Sequence, residues 1–162
     1  MVIIVVSANI LVQYPINNWL TWGALTYPLS YLITDLTNKV MGPAAAKKVV
    51  WSGFIVAVLL SALLATPRIA AASGSAFLLS QLLDIHVFNR LRQARWWKAP
   101  LISSTIGSAL DTLVFFSLAF AGTTVPWVTL GIGDYAVKMM IAIILIGPYG
   151  GLLKRLQMKA VQ

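Results

Sequence analysis

Six stretches of this chain are apolar enough to sit in a bilayer, and they leave very few folds open. They cover residues 2–14, 22–38, 49–65, 69–88, 101–121 and 127–146. A helix needs about 20 apolar residues to cross the hydrocarbon core, with about 17 as a lower limit, and all but the first reach that limit. The first supplies about 13, or roughly 20 Å of helix against a core of about 30 Å. It is expected either as a partial helix stopped by Pro15 or as a helix whose start lies upstream. Lacking a basic leading region, it does not resemble a cleaved signal peptide.

Composition points the same way. Only 10% of the 162 residues are charged and 59% are hydrophobic, whereas a soluble domain carries about 25% charged residues. The chain has no cysteine, which excludes disulfides and thiolate metal sites, and its one histidine argues against a structural metal site. No phosphate-binding G-x-x-x-x-G-K-[ST] loop is present, so the chain binds no ATP by that device, and no cofactor is expected.

The net charge of +8 would suit a nucleic-acid binder, but the placement of the bases does not. Lys39, Lys47 and Lys48 form one cluster, Arg90, Arg92, Arg95 and Lys98 a second, and Lys154, Arg155 and Lys159 a third. These ten of the twelve bases follow the second, fourth and sixth apolar stretches, while Arg68 follows the third and Lys138 lies inside the sixth. Positive charge collects on the cytoplasmic side of a membrane protein. The alternation therefore predicts an even number of passes with both termini cytoplasmic. Six fit. Residues 1–162 are expected to form a single integral membrane domain, an all-α bundle of six transmembrane helices, with the lipid bilayer as partner and no direct contact with nucleic acid.

The acids are few: Asp35, Asp84, Asp111 and Asp134, with no glutamate. Each lies in or beside an apolar stretch, where an ionised carboxylate costs several kcal/mol or more unless something meets it. Asp35 and Asn38 share a helix face, as do Gln81 and Asp84. His86 and Asn89 share another face of the same helix, nearer the headgroups. Ser104, Gly107, Ser108 and Asp111 make a stripe of small and polar residues suited to close helix contact. Asp111 is about 15 Å from the start of its helix, near the midplane, with no partner on that helix. Asp134 and Lys138, at i and i+4, are placed for an ion pair, either one that neutralises both groups structurally or one in which substrate or proton competes for one partner. Trp22, Tyr27, Tyr31 and Phe88 suit either stacking on a planar ligand or anchoring at the interface. Gly147-Pro148-Tyr149-Gly150-Gly151 is expected to break the last helix.

Gly131-Ile132-Gly133-Asp134 matches the G-x-G-D signature of intramembrane aspartyl proteases. That chemistry needs two carboxylates sharing a proton, and Lys138 one turn away opposes it.

The ordered motifs resemble another family over nearly the whole chain. They run from Ser7-Ala8-Asn9 with Gln13 through Thr21-Trp22-Gly23, Thr34-Asp35-Leu36-Thr37 and the ten residues 83–92 to Trp96-Trp97 with Ala99-Pro100. Asp111-Thr112 with Phe115-Phe116, and Asp134-Tyr135 with Lys138, complete the set. Together they are similar to the bacterial queuosine-precursor transporters, in which the 83–92 stretch is the most specific element.

The resemblance implies a non-enzymatic inner-membrane importer, built like the substrate-binding subunits of vitamin uptake systems. Its cargo would be cyano- and aminomethyl-deazaguanine, bases salvaged for tRNA modification. A carboxylate can accept the adjacent N–H and NH2 of a guanine-like edge, and a second can meet the aminomethyl cation. Asp84 or Asp111 is the candidate for the edge and Asp35 for the amine. Asn9, Gln13, Trp22, Asn38, Gln81, His86, Asn89, Asp134 and Lys138 complete the candidate set. Another vitamin-like cargo on the same fold is the main alternative, and a homo-oligomer or a separate energising subunit is compatible with it.

Overall fold

The computed structural model describes residues 1–11, 14–17, 20–64 and 66–159. Helix α1 is Val2–Leu11. It is followed by a short antiparallel ribbon, β1 Pro15–Asn17 and β2 Leu20–Thr21, which the apolar pattern does not announce. Helices α2 Gly23–Thr26, α3 Pro28–Met41, α4 Pro43–Leu64, α5 Pro67–Leu91, α6 Lys98–Phe120 and α7 Trp127–Lys159 complete the chain.

Among the described residues, four helices are long and apolar enough to cross a membrane: Pro43–Leu63, Pro67–Leu91, Lys98–Phe120 and Trp127–Leu156. Helices α2 and α3 are one interrupted rod. Tyr27 between them keeps helical dihedrals and donates its N–H to Gly23 O, and Pro28 then lacks the N–H that would continue the ladder. Together they rise about 28 Å, close to the thickness of the hydrocarbon core.

Local chemistry sets the other boundaries. Gly42, at φ 90°, donates to Asn38 O and lets the chain turn into Pro43, so α3 ends and α4 begins within two residues. Thr66 caps α5 by accepting the Ile69 N–H, with Pro67 in the first turn. At that same end Arg68 donates to the carbonyls of Leu118 (2.8 Å) and Ala121 (2.5 Å). A guanidinium there satisfies orphan carbonyls at the negative pole of α6.

The expected break at 147–151 does not occur: α7 runs through Pro148 to Lys159. In a bilayer a backbone that leaves the helix has no water to bond, so the ladder persists around one missing donor. Gly150 meets a packing need instead, since a Cβ there would come within 2.8 Å of the Trp96 ring.

The bundle is inverted relative to a soluble protein. Leu59, Leu63, Leu113, Ile132, Ile143 and Ile144 are exposed, while Ser30, Thr34, Asn38, Ser80, Gln81 and Ser103 are fully buried. Apolar packing concentrates in two clusters. One joins Val5, Ala46, Val50, Phe77 and Ile85; the other joins Phe88, Ala99, Tyr149 and Leu153. Helix α5 packs most extensively on α6 and next on α4. Gly107 permits the first contact, because a Cβ there would lie 2.9 Å from the Tyr31 ring and 3.3 Å from Ser80 O.

Gly107→Val should therefore overpack the α5–α6 seam and cost about 1–3 kcal/mol. Gly147→Ala adds a methyl with nothing within 4 Å. Thermal unfolding in detergent should fall by several degrees for the first and stay unchanged or rise for the second; equal midpoints would refute the packing role.

Candidate functional site

The centre of the molecule is one ammonium group shared by two carboxylates. Lys138, 4% exposed on α7, places Nζ 2.8 Å from Asp111 Oδ2 and 2.5 Å from Asp134 Oδ2. Its third donor direction goes to Thr112 Oγ1 at 3.3 Å, and that hydroxyl donates to Asp134 Oδ2 at 2.8 Å. The other oxygen of Asp111 accepts from Tyr27 OH at 2.7 Å and from Ser80 Oγ at 3.4 Å. The lysine also lies over the Tyr27 ring, 4.9 Å from its centroid.

Helix geometry explains the assembly. Asp134 and Lys138 are one turn apart on α7, and Asp111 and Thr112 are adjacent on α6, so two helices present the whole cluster. Two carboxylates and one ammonium carry one surplus formal negative charge. A cleft reaches this cluster, lined also by Tyr27, Phe115, Phe116, Ala8, Gly23 and Ala24. It is largely apolar and aromatic, with the charge at one wall.

A second polar level lies further along the bundle. Asp35 accepts from Ser103 Oγ at 3.3 Å and Ser104 Oγ at 3.2 Å, both on α6. Asp84 on α5 lies within electrostatic reach of Asp35 and is fully buried. Beside them Thr34 donates to Gln81 Oε1 at 2.7 Å, Gln81 donates to Ser30 Oγ at 2.9 Å, and Asn38 donates to Ile85 O at 3.3 Å. A second crevice, between α3, α6 and α7, is lined by Tyr31, Asp35, Ser104, Ser108 and Tyr149.

The geometry disfavours proteolysis at the G-x-G-D aspartate. Asp111 and Asp134 meet through an ammonium, which occupies the position where a catalytic dyad holds its shared proton.

The family model described as "Putative vitamin uptake transporter" matches residues 21–66 and 60–151. The chain belongs to the vitamin uptake transporter family. Within it, the chain is 35% identical to the "Queuosine precursor transporter" of Escherichia coli strain K12, over 97% of this chain and 84% of that protein. It is 40% identical to a "Probable queuosine precursor transporter" of Haemophilus influenzae, over 85% of this chain and 72% of the relative. A Bacillus subtilis protein of the same description is 26% identical over 84% of this chain and 72% of its own length. No solved structure matches the chain.

For this member of the vitamin uptake transporter family, the structure divides the candidate residues into three groups. Asp111, Asp134 and Lys138 form the upper cluster. Asp111, which has no partner on its own helix, finds one on α7. Asp35, Asn38, Gln81 and Asp84 are buried together in the α3–α5 seam, and Asp84 lines neither cavity. Trp22 is half exposed, and His86 and Asn89 are exposed on the face of α5 turned away from Gln81 and Asp84. The Asn9 side chain and the whole of Gln13 lie outside the described residues. Among the aromatics, Phe88 is core rather than ligand-stacking, while Tyr27 lines the cleft.

Sequence reasoning passed over Thr112, Ser80 and Ser103, and the pairing role of Tyr27. Thr112 was the most accessible of these, because it adjoins Asp111 in a recognised motif. Ser80 sits one turn before Asp84 and gives no other signal.

Lys138→Met strands two buried carboxylates, and removing one partner of a buried pair costs about 3–5 kcal/mol. Adding Asp111→Asn should recover part of that loss. A double-mutant cycle of unfolding midpoints tests this; additive effects would mean that the two groups do not interact.

Proposed function

We propose that this chain imports queuosine precursors, the cyano- and aminomethyl-deazaguanine bases, across a bacterial inner membrane. The observation that carries the reading is the aromatic cleft ending on the Asp111–Lys138–Asp134 cluster. The chain's similarity to the queuosine precursor transporter of E. coli and the probable one of H. influenzae supports the same cargo.

The shared lysine suits exchange. A deazaguanine edge presents N–H and NH2 side by side, and Asp111 accepts both if Lys138 gives it up. Lys138 then stays on Asp134, its neighbour one turn away on the same helix, so no ammonium is stranded. Tyr27, Phe115 and Phe116 cover the ring faces. An analogue without the exocyclic amine leaves a carboxylate oxygen unpaired and is rejected for that reason.

The proposed topology has six passes, counting α1 and the interrupted α2–α3 rod, with both termini cytoplasmic. Contacts at one end of the bundle support it. Lys39 Nζ donates to Arg92 O (2.7 Å) and Arg92 Nη2 to Lys39 O (2.9 Å), which ties the first basic cluster to the second. Tyr149 and Leu153 of α7 pack on Phe88 and Ala99 and bring the third cluster to the same end. Positive charge at one end marks that end as cytoplasmic. The Asp111 cleft, lined by Ala8 of α1, Gly23 and Ala24 of α2 and Asp134 of α7, then lies toward the opposite, outer half.

The test uses cells unable to make or import the precursors, given a limiting external supply. The chain should restore queuosine in tRNA. Asp111→Asn should cut the uptake rate about 10- to 100-fold at equal membrane level, the size expected for a lost charged hydrogen bond of about 1.5–3 kcal/mol. No queuosine with the protein inserted in the membrane would refute the function.

A further inference from the structure

We propose that the Asp35–Asp84 pair is a proton site that drives import, distinct from the cleft that takes the base. This rests on the importer reading above. The two carboxylates are 1% and 0% exposed on facing helices, and no cation joins them; among the described residues both ion pairs belong to Lys138. Asp35 has two hydroxyl donors, whereas neither oxygen of Asp84 has a hydrogen-bond partner.

A second observation comes from the crevice beside Asp35. Tyr31 and Tyr149, 2% and 1% exposed, line it, and their buried hydroxyls are likewise unpartnered. These groups can relay a proton, and Asp84 lines neither the crevice nor the cleft that takes the base.

The groups facing the pair are few. On α3 they are Tyr31 and Asn38, on α6 Ser103 and Ser104 with Asp111 one level up, and on α7 Tyr149. Lys39, one turn from Asp35 on α3, and Arg92 bond to each other's carbonyls at the end of the bundle. A bound proton is thus shared between Asp35 and Asp84, bridging one oxygen of each. On release it passes through the inner crevice, and the Ser103 and Ser104 hydroxyls hold Asp35 as the charge returns. One proton enters, one leaves, and no other group changes.

The experiment uses the purified full chain in liposomes with cyano-deazaguanine, which is uncharged and does not itself respond to the gradient. With the interior one pH unit more alkaline, wild type should accumulate the base about tenfold for one proton per molecule, since one unit is a factor of ten. A protonophore should return the ratio to about one. Asp84→Asn should lose the accumulation but keep exchange of labelled for unlabelled base within about twofold of wild type. Asp84→Glu should restore accumulation. No exchange by wild type overturns the importer reading and this proposal with it. Exchange that ignores the gradient overturns the coupling alone. So does uphill accumulation by Asp84→Asn, or loss of accumulation in both the Asn and the Glu variants.

Discussion

The ammonium of Lys138 holds the bundle's polar interior in place. It joins α6 to α7 through Asp111 and Asp134, and through Tyr27 on Asp111 it reaches the interrupted α2–α3 rod. A buried ion pair of this kind adds little stability compared with an apolar replacement of equal volume. In a bilayer, moreover, each charge is costly on its own. The retention of three charged groups at one point of a chain with only four acids is better explained by function than by folding. A lysine with two acceptors can leave one without becoming unpaired, and a single ion pair cannot do that.

The same principle accounts for the inverted pattern of the whole molecule. Lipid-facing positions carry large aliphatic side chains and contribute no association energy, because lipid is as apolar as they are. Helix contacts depend instead on small residues and hydrogen bonds. The Gly107 contact with Tyr31 and Ser80, and the Thr34–Gln81–Ser30 chain across α3 and α5, are of this kind. The first apolar cluster sets alanines and valines around Phe77 and Ile85, and the second sets Ala99 and Leu153 against Phe88 and Tyr149.

What the sequence disclosed follows from which constraints are local. Helix existence was legible, because apolar length is a property of contiguous residues. The Asp134–Lys138 pair was legible too, since i and i+4 meet on any helix. The partner of Asp111 was not, because it lies on another helix and depends on how α6 and α7 rotate against each other. The 147–151 segment misled for a related reason. Proline and glycine report backbone preference in water, where an alternative to the helix costs little, and Pro148 is instead carried inside α7. The tyrosine hydroxyls were invisible as polar groups. Tyr27, Tyr31 and Tyr149 could all have been interface anchors by position, and only packing turns them inward.

The two polar levels share supports. Helix α6 supplies Asp111 to one and Ser103 and Ser104 to the other, and α7 supplies Lys138 and Tyr149. Tyr27 and Tyr31, edge to face with centroids 5.9 Å apart, stand between the levels on either side of Pro28. The missing backbone bond at Pro28 makes this the weakest joint of the α2–α3 rod. If Lys138 leaves Asp111, the acceptor of Tyr27 changes at the same moment, and the neighbouring ring of Tyr31 must accommodate it over the crevice that reaches Asp35. A change of partner at Asp111 would therefore be felt at the Asp35–Asp84 pair through two edge-to-face tyrosines, with no need for long-range strain. The proposed coupling by alternating access requires such a link, and Tyr27 and Tyr31 would supply it within one turn of helix.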